Sequence, residues 1–457
     1  MDGPESGRRT QETATWTREQ AAGIERHDDV VAPIIYQPDS KVSDDYHLWD
    51  TWLLRERDET VASVDGYRVI FALTAPSDML PGKRHDVATI RYFYSADGET
   101  WHDGGPVFDG GALGSRQWAG CSLYDGGDVY VYYTAAGRCD EPELTYTQRI
   151  AMAAGGRVDT DDGFAIEGPW DHSVLLEPNG EYYETEVQSR GMIYTFRDPW
   201  FFEDPATGQT HLLFEANTPV PGGSDACGGD PAQQEFNGAV GIADSPTGDP
   251  TAFEPRPPLL DSVCVNQELE RPHVIVADGT YYLFISSHHH TFAPGLEGLD
   301  ALYGFVADSL HGDYQPLNGS GLVLTNPANA PFQAYSWLAY PHQEDVLVTS
   351  FFNYFDYERP SLDDVALLPE HEQLRRFGGT LAPTVRLALD GRRTRIVDTL
   401  DHGHLPLPHE PLTTQSFAAA REQAEGGYYR REDGEDEGDD ARADGGPTAA
   451  RNQRVGN

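Results

Sequence analysis

Lysine is almost missing from this 457-residue chain: it occurs only at Lys41 and Lys83, so nearly all the positive charge is arginine. Against 32 basic residues stand 75 acidic ones, for a net charge of −43. A surface this negative repels phosphate backbones and anionic lipid headgroups, which argues against nucleic-acid and membrane partners. Excess Asp and Glu with so little Lys fits a protein kept soluble in concentrated salt, where the Debye length falls to about 3 Å at 1 M and self-repulsion is screened. The chain is therefore read as halophilic. Cysteine is scarce as well. Cys121, Cys139, Cys227 and Cys264 show neither a C-x-x-C pair nor zinc spacing, which excludes a disulfide scaffold. One or two bridges stay open, with Cys227 and Cys264 the favoured pair, and so do free buried thiols. Long apolar runs are missing: no window approaches the roughly 18 residues of a membrane-spanning helix. The start, MDGPESGRRTQETATWTREQAAG, has no apolar stretch behind Arg8-Arg9, so no signal peptide is visible.

Aromatic residues, by contrast, are plentiful. With 23 Tyr, 19 Phe and 8 Trp the chain can bury a large core, which excludes wholesale disorder. Residues 1–30 read as a polar N-terminal extension with one short helix near Thr17–Glu25. Residues 416–457 are rich in Gly, Asp and Glu and read as an acidic, disordered C-terminal tail. Between them, residues 31–415 are mostly short strands such as YRVIFAL, ATIRYFYS, DVYVYYTAA, QTHLLFEA and GTYYLFISS, separated by turn clusters. The fold class is all-β.

A weak repeat runs through this region. Strand phrases with a polar or aromatic opening start near residues 49, 118, 197, 270 and 336. Five four-stranded units of that length predict a five-bladed β-propeller with a central funnel-shaped pocket. The opening strands of such units lie nearest the axis. They carry Asp50 in His47-Leu48-Trp49-Asp50-Thr51-Trp52, Asp198 in Phe196-Arg197-Asp198-Pro199, and Glu270 in Gln267-Glu268-Leu269-Glu270-Arg271-Pro272. The three carboxylates are read as standing at the same place in their repeats and pointing into one pocket. Crowded carboxylates cannot all ionise freely, so one is expected to stay protonated beside an ionised neighbour. A retaining glycosidase needs that pair as acid and nucleophile. Nearby Trp residues offer flat walls for a sugar ring. A single Asp beside Arg is more often a strut between strands than a catalyst. Three at repeat positions reverse that balance.

The motifs resemble those of the levansucrase/inulosucrase family of fructosyltransferases, glycoside hydrolase family 68. Trp49-Asp50-Thr51-Trp52 is similar to its nucleophile motif, Arg197-Asp198-Pro199 to its transition-state motif, and Glu268-Leu269-Glu270-Arg271 to its acid/base motif. Gln117-Trp118-Ala119-Gly120, Phe214-Glu215-Ala216-Asn217-Thr218, the run from Pro316 to Leu324 and Ala334-Tyr335-Ser336 match in order, so the resemblance covers about residues 45–400. It implies sucrose as donor, fructan, oligosaccharide or water as acceptor, no cofactor, a monomer, and the extracellular location of secreted relatives. It also implies roles. Asp50 is the nucleophile, Glu270 the acid/base and Asp198 the stabiliser. Trp49 and Trp118 wall the fructosyl subsite, Arg197, Glu268 and Arg271 clamp sucrose hydroxyls, and His288 and Tyr335 stand on the acceptor side. Two departures stand out. Ala119 replaces a family Ser, and Gln267 occupies the place of a calcium-binding Asp, so no calcium is expected there. His288-His289-His290 otherwise suggests metal, but successive side chains alternate faces and do not converge on one ion. A hydrolytic β-fructofuranosidase and a non-catalytic carbohydrate-binding propeller are the rival readings.

Overall fold

The computed structural model describes residues 13–407, except 162, 358 and 360. The structure is mostly β. Among the described residues the α-helices are short, Arg18–Ala21 and Glu370–Arg376. Five antiparallel meanders follow one another. Their opening strands are Tyr46–Arg55, Arg116–Asp125, Phe196–Glu203, Glu270–Ala277 and Ala334–His342. These bounds sit within a few residues of the starts expected from the repeat. The first two meanders are joined by a short parallel pairing, Leu54 with Ser122 and Arg55 with Leu123. Each opening strand packs against the next, and the fifth packs against the first. The five opening strands therefore adjoin one another in a closed series.

The core is built from strands buried on both faces. In the first meander Trp52 and Phe71 sit on neighbouring strands with their rings stacked 5.9 Å apart. In the third, every residue of Thr210–Asn217 is buried, as expected of a strand covered on both faces. The segment before residue 30 is tied to this body. Ala14–Thr15 adds a parallel strand to the third meander. Trp16 is wholly buried, packed on Phe292, Tyr303 and Phe305, and its Nε1 donates to the Ser320 carbonyl at 3.2 Å. The short helix expected nearby forms at Arg18–Ala21, started by a Thr17/Gln20 capping box. Trp16 is thus a core residue that the polar composition around it conceals. The tail read at 416–457 lies outside the described residues. Cys227 and Cys264 form a disulfide, while Cys121 is buried and free and Cys139 is exposed.

Candidate active site

All five opening strands break register at the same level. The ladder slips between Trp49 and Trp52, Trp118 and Gly120, Arg197 and Trp200, Glu270 and His273, and Tyr335 and Leu338. Such bulges re-aim side chains at the rim of a sheet. Four of the bulged residues adopt left-handed backbone: Asp50 (φ 47°), Asp198 (φ 57°), Arg271 (φ 51°) and Ser336 (φ 59°). Strain of this kind costs about 1–3 kcal/mol per residue and persists where the surroundings over-determine it. The alignment corrects one expectation. Asp50 and Asp198 are the left-handed residues of their bulges, but Glu270 stands one residue earlier, and Arg271 takes the equivalent position. The carboxylates line one cavity without sharing a repeat position, because a bulge lets two successive side chains reach the same face.

The bulges surround a cavity of about 410 Å³. Asp50, Trp118, Arg197, Asp198, Glu268, Glu270, Arg271, His288 and Tyr335 line it, so nine of the residues singled out from sequence come together. Trp49 does not line it. It is fully buried behind the wall, edge-on to His85 at 5.4 Å, with the Arg84 guanidinium 5.4 Å from its ring. Trp49 supports the wall while Trp118 forms it. Arg84 and His85 also line the cavity, and sequence reasoning missed both. A signal was available: Lys83-Arg84-His85 is a basic run in a chain with almost no lysine.

Arg197 organises the charges. Its Nε donates to Glu215 at 2.6 Å, its Nη2 donates to Glu268 and Glu270 at 2.9 Å each, and Asp198 is 4.0 Å away. One guanidinium is thus divided among several carboxylates. Burial, then the charge of Glu268, pushes the Glu270 carboxyl up to about 8, and Arg197 only partly opposes this. Tyr335 Oη donates to Glu270 Oε2. Two residues away, Glu268 goes the opposite way, to about 2, because His288 holds it against the cost of burial. His288 Nδ1 lies 2.8 Å from Glu268 Oε2 and 3.8 Å from Glu270 Oε2. Despite burial, Glu268 lifts the imidazole to about 9, so it is cationic at neutral pH. Its ring stacks on Tyr335 at 3.8 Å. Burial also raises Asp198, opposed by Arg197 and Arg271.

Arg271 behaves as a brace. Its Nη1 donates to Ser336 Oγ at 2.6 Å, its Nη2 to the Thr51 carbonyl at 2.8 Å, and its backbone N to Asp198 Oδ2 at 3.2 Å. These bonds tie four opening strands together. The histidine run leaves its strand and enters a short 3-10 turn, His289–Thr291, so its side chains part: His288 meets Glu268, while His289 Nδ1 lies 3.1 Å from Asp300. Glu268, Glu270 and His288 could together reach one ion, as could Asp198, Glu215 and Glu270. The Arg197 guanidinium already sits between members of both sets and supplies the positive charge. Gln267 Nε2 donates to the Ile193 carbonyl at 2.9 Å, and its Oε1 accepts from Met192 N at 3.1 Å, so this amide pins a neighbouring loop.

A protonated carboxyl, an ionisable carboxylate and a flat aromatic wall in one cavity can exchange a glycosyl group between oxygen nucleophiles. Known proteins agree with that chemistry. A family profile described as Levansucrase/Invertase matches residues 6–406. A levansucrase of Rahnella aquatilis is 37% identical over 423 residues, covering 86% of this chain and 96% of that protein. The structure of an inulosucrase from Halalkalicoccus jeotgali bound to kestose is 66% identical, with a TM-score of 0.87, covering 88% of this chain and all of the other. The catalytic domain of a β-fructofuranosidase from Microbacterium saccharophilum is 30% identical, with a TM-score of 0.74, covering 89% and 96% of the two chains. The chain belongs to the levansucrase/invertase family, glycoside hydrolase family 68.

Proposed function

We propose that this chain is a fructosyltransferase that cleaves sucrose by a retaining double displacement. Asp50 attacks the anomeric carbon of the fructosyl unit while Glu270 gives its proton to the departing glucose oxygen. The resulting fructosyl-enzyme is opened by an acceptor hydroxyl, which Glu270 now deprotonates. Asp198 faces the developing positive charge, and Trp118 offers a flat wall to the ring. The observation that carries this reading is the raised pKa of Glu270 inside the cavity that Asp50 also lines. The five meanders are read as the blades of a five-bladed propeller whose axis holds this cavity.

Glucose leaves on the side of His288 and Tyr335, so the acceptor enters there. Fructan, oligosaccharide and sucrose are the proposed acceptors. The 66% identity with an inulosucrase favours transfer to the 1-hydroxyl of a fructosyl acceptor, a β-2,1 linkage. The 30% identity with a β-fructofuranosidase supports the second reading, in which water is the main acceptor. Sucrose turnover followed by product and linkage analysis separates the two: kestose-type oligomers and inulin against equal glucose and fructose. The acidic surface supports the further reading that the fold needs salt. Its melting temperature is expected to rise between about 0.1 M and about 3 M salt, and an equal value in both would refute the halophilic reading.

A further inference from the structure

We propose that His211, Asp244 and His311 form a divalent transition-metal site that clamps the third meander to the fourth, on the face opposite the cavity. His211 lies near the start of Thr210–Asn217, and Asp244 is the last residue of Gly238–Asp244, directly across from it in the ladder. Third-meander residues at the cavity, Arg197 and Asp198, lie at the other end of these strands. His311 belongs to the fourth meander, in the loop that follows Ala301–Ala307. One ligand atom from each of the three residues falls within 4.8 Å of the others.

The donor set is chemically specific. Two imidazoles and one carboxylate suit Zn²⁺, Ni²⁺ or Cu²⁺ rather than Ca²⁺ or Mg²⁺, which prefer oxygen ligands. Tetrahedral zinc holds such ligands at about 2.0–2.1 Å, which sets neighbouring ligand atoms roughly 3.3 Å apart. His211 Nδ1 and Asp244 Oδ1 are 2.9 Å apart, close to that spacing. Asp244 Oδ2 is held by Arg256 Nε at 2.7 Å, which fixes the carboxylate and leaves Oδ1 for the cluster. His211 is buried, with its ring 5.7 Å from that of His311, and His311 is exposed. An ion can therefore enter from solvent past His311 and land on a rigid pair. The strongly negative chain attracts divalent cations to its surface.

The site makes no contact with the catalytic residues, so its effect is expected on stability and not on turnover. The test uses the full chain stripped with a chelator and dialysed. Zn²⁺ titrated by calorimetry should bind at one saturable site, raise the melting temperature and leave sucrose turnover unchanged. Ca²⁺ and Mg²⁺ should do neither. His311→Ala removes an exposed side chain and should fold normally, yet weaken zinc binding at least about tenfold and abolish the melting shift. His290→Ala is the control and should retain both. The proposal is overturned if zinc raises the melting temperature equally in His311→Ala. It is likewise overturned if no saturable binding is found, or if binding inhibits turnover, which would place the ion among the catalytic carboxylates.

Discussion

Two carboxyls, the buried Glu59 and the part-buried Glu270, are both pushed to about 8, yet only Glu270 faces a cavity. Glu59 lies behind the opening strand of the first meander, paired with Arg55, whose guanidinium stacks 3.4 Å from the centre of the Trp200 ring. Its shift comes chiefly from burial, with one arginine opposing it. Glu270 shares the single Arg197 with Glu215 and Glu268, and the neighbouring Glu268 adds to its shift. A displaced pKa alone does not mark a catalytic group. A one-to-one pair sealed behind tryptophan braces the interior. An undersupply of positive charge, open to a ligand, keeps a proton available for transfer.

Substitutions can break this contrast. The largest effect is expected for Asp50→Asn, which should cut sucrose turnover by about 10³-fold or more while leaving the melting temperature near that of the wild type. More than a tenth of the activity surviving would remove Asp50 from the nucleophile's role. Glu59→Ala should do the reverse. Stranding the buried Arg55 should cost about 3–5 kcal/mol of stability, with turnover per folded molecule unchanged. A large loss of turnover at full stability would show that the interior pair takes part in chemistry. His288→Ala should have the smallest effect on sucrose consumption and show itself in the products. Without the imidazolium between Glu268 and the acceptor side, free fructose should rise toward parity with free glucose and product chains should shorten. An unchanged ratio would show that His288 does not touch the acceptor.

Much of this site was legible in the chain because its residues lie on strands with a repeating phrase. The openings near residues 49, 118, 197, 270 and 336 were visible as polar or aromatic phrases before apolar runs, and the structure breaks strand register close to each of them. The bulges were not visible. A bulge adds a residue without a compositional mark, so the one-residue offset of Glu270 and the retreat of Trp49 behind the wall could not be read from spacing. Arg84 and His85 escaped because the short helical turn Pro81–Asp86 carries no periodicity. Glu215 was seen within a motif, but its bond to Arg197 depends on two adjacent strands being in register. Trp16 was hidden by its polar neighbours, since one tryptophan can anchor a segment that looks solvated overall.

In the proposed mechanism Glu270 holds the proton that leaves with glucose. The direct measurement compares sucrose with fructosyl fluoride, whose leaving group needs no proton, across pH in the wild type and in Glu270→Gln. A raised carboxyl is protonated below its pKa and loses the proton as pH climbs through it. With sucrose, wild-type kcat/KM should therefore fall on a limb near pH 8. With fructosyl fluoride that limb should be absent. Glu270→Gln should lose about 10²- to 10⁴-fold on sucrose and far less on the fluoride. Equal defects on the two donors, or the same alkaline limb with both, would contradict the assignment and leave Glu270 a structural partner of Arg197.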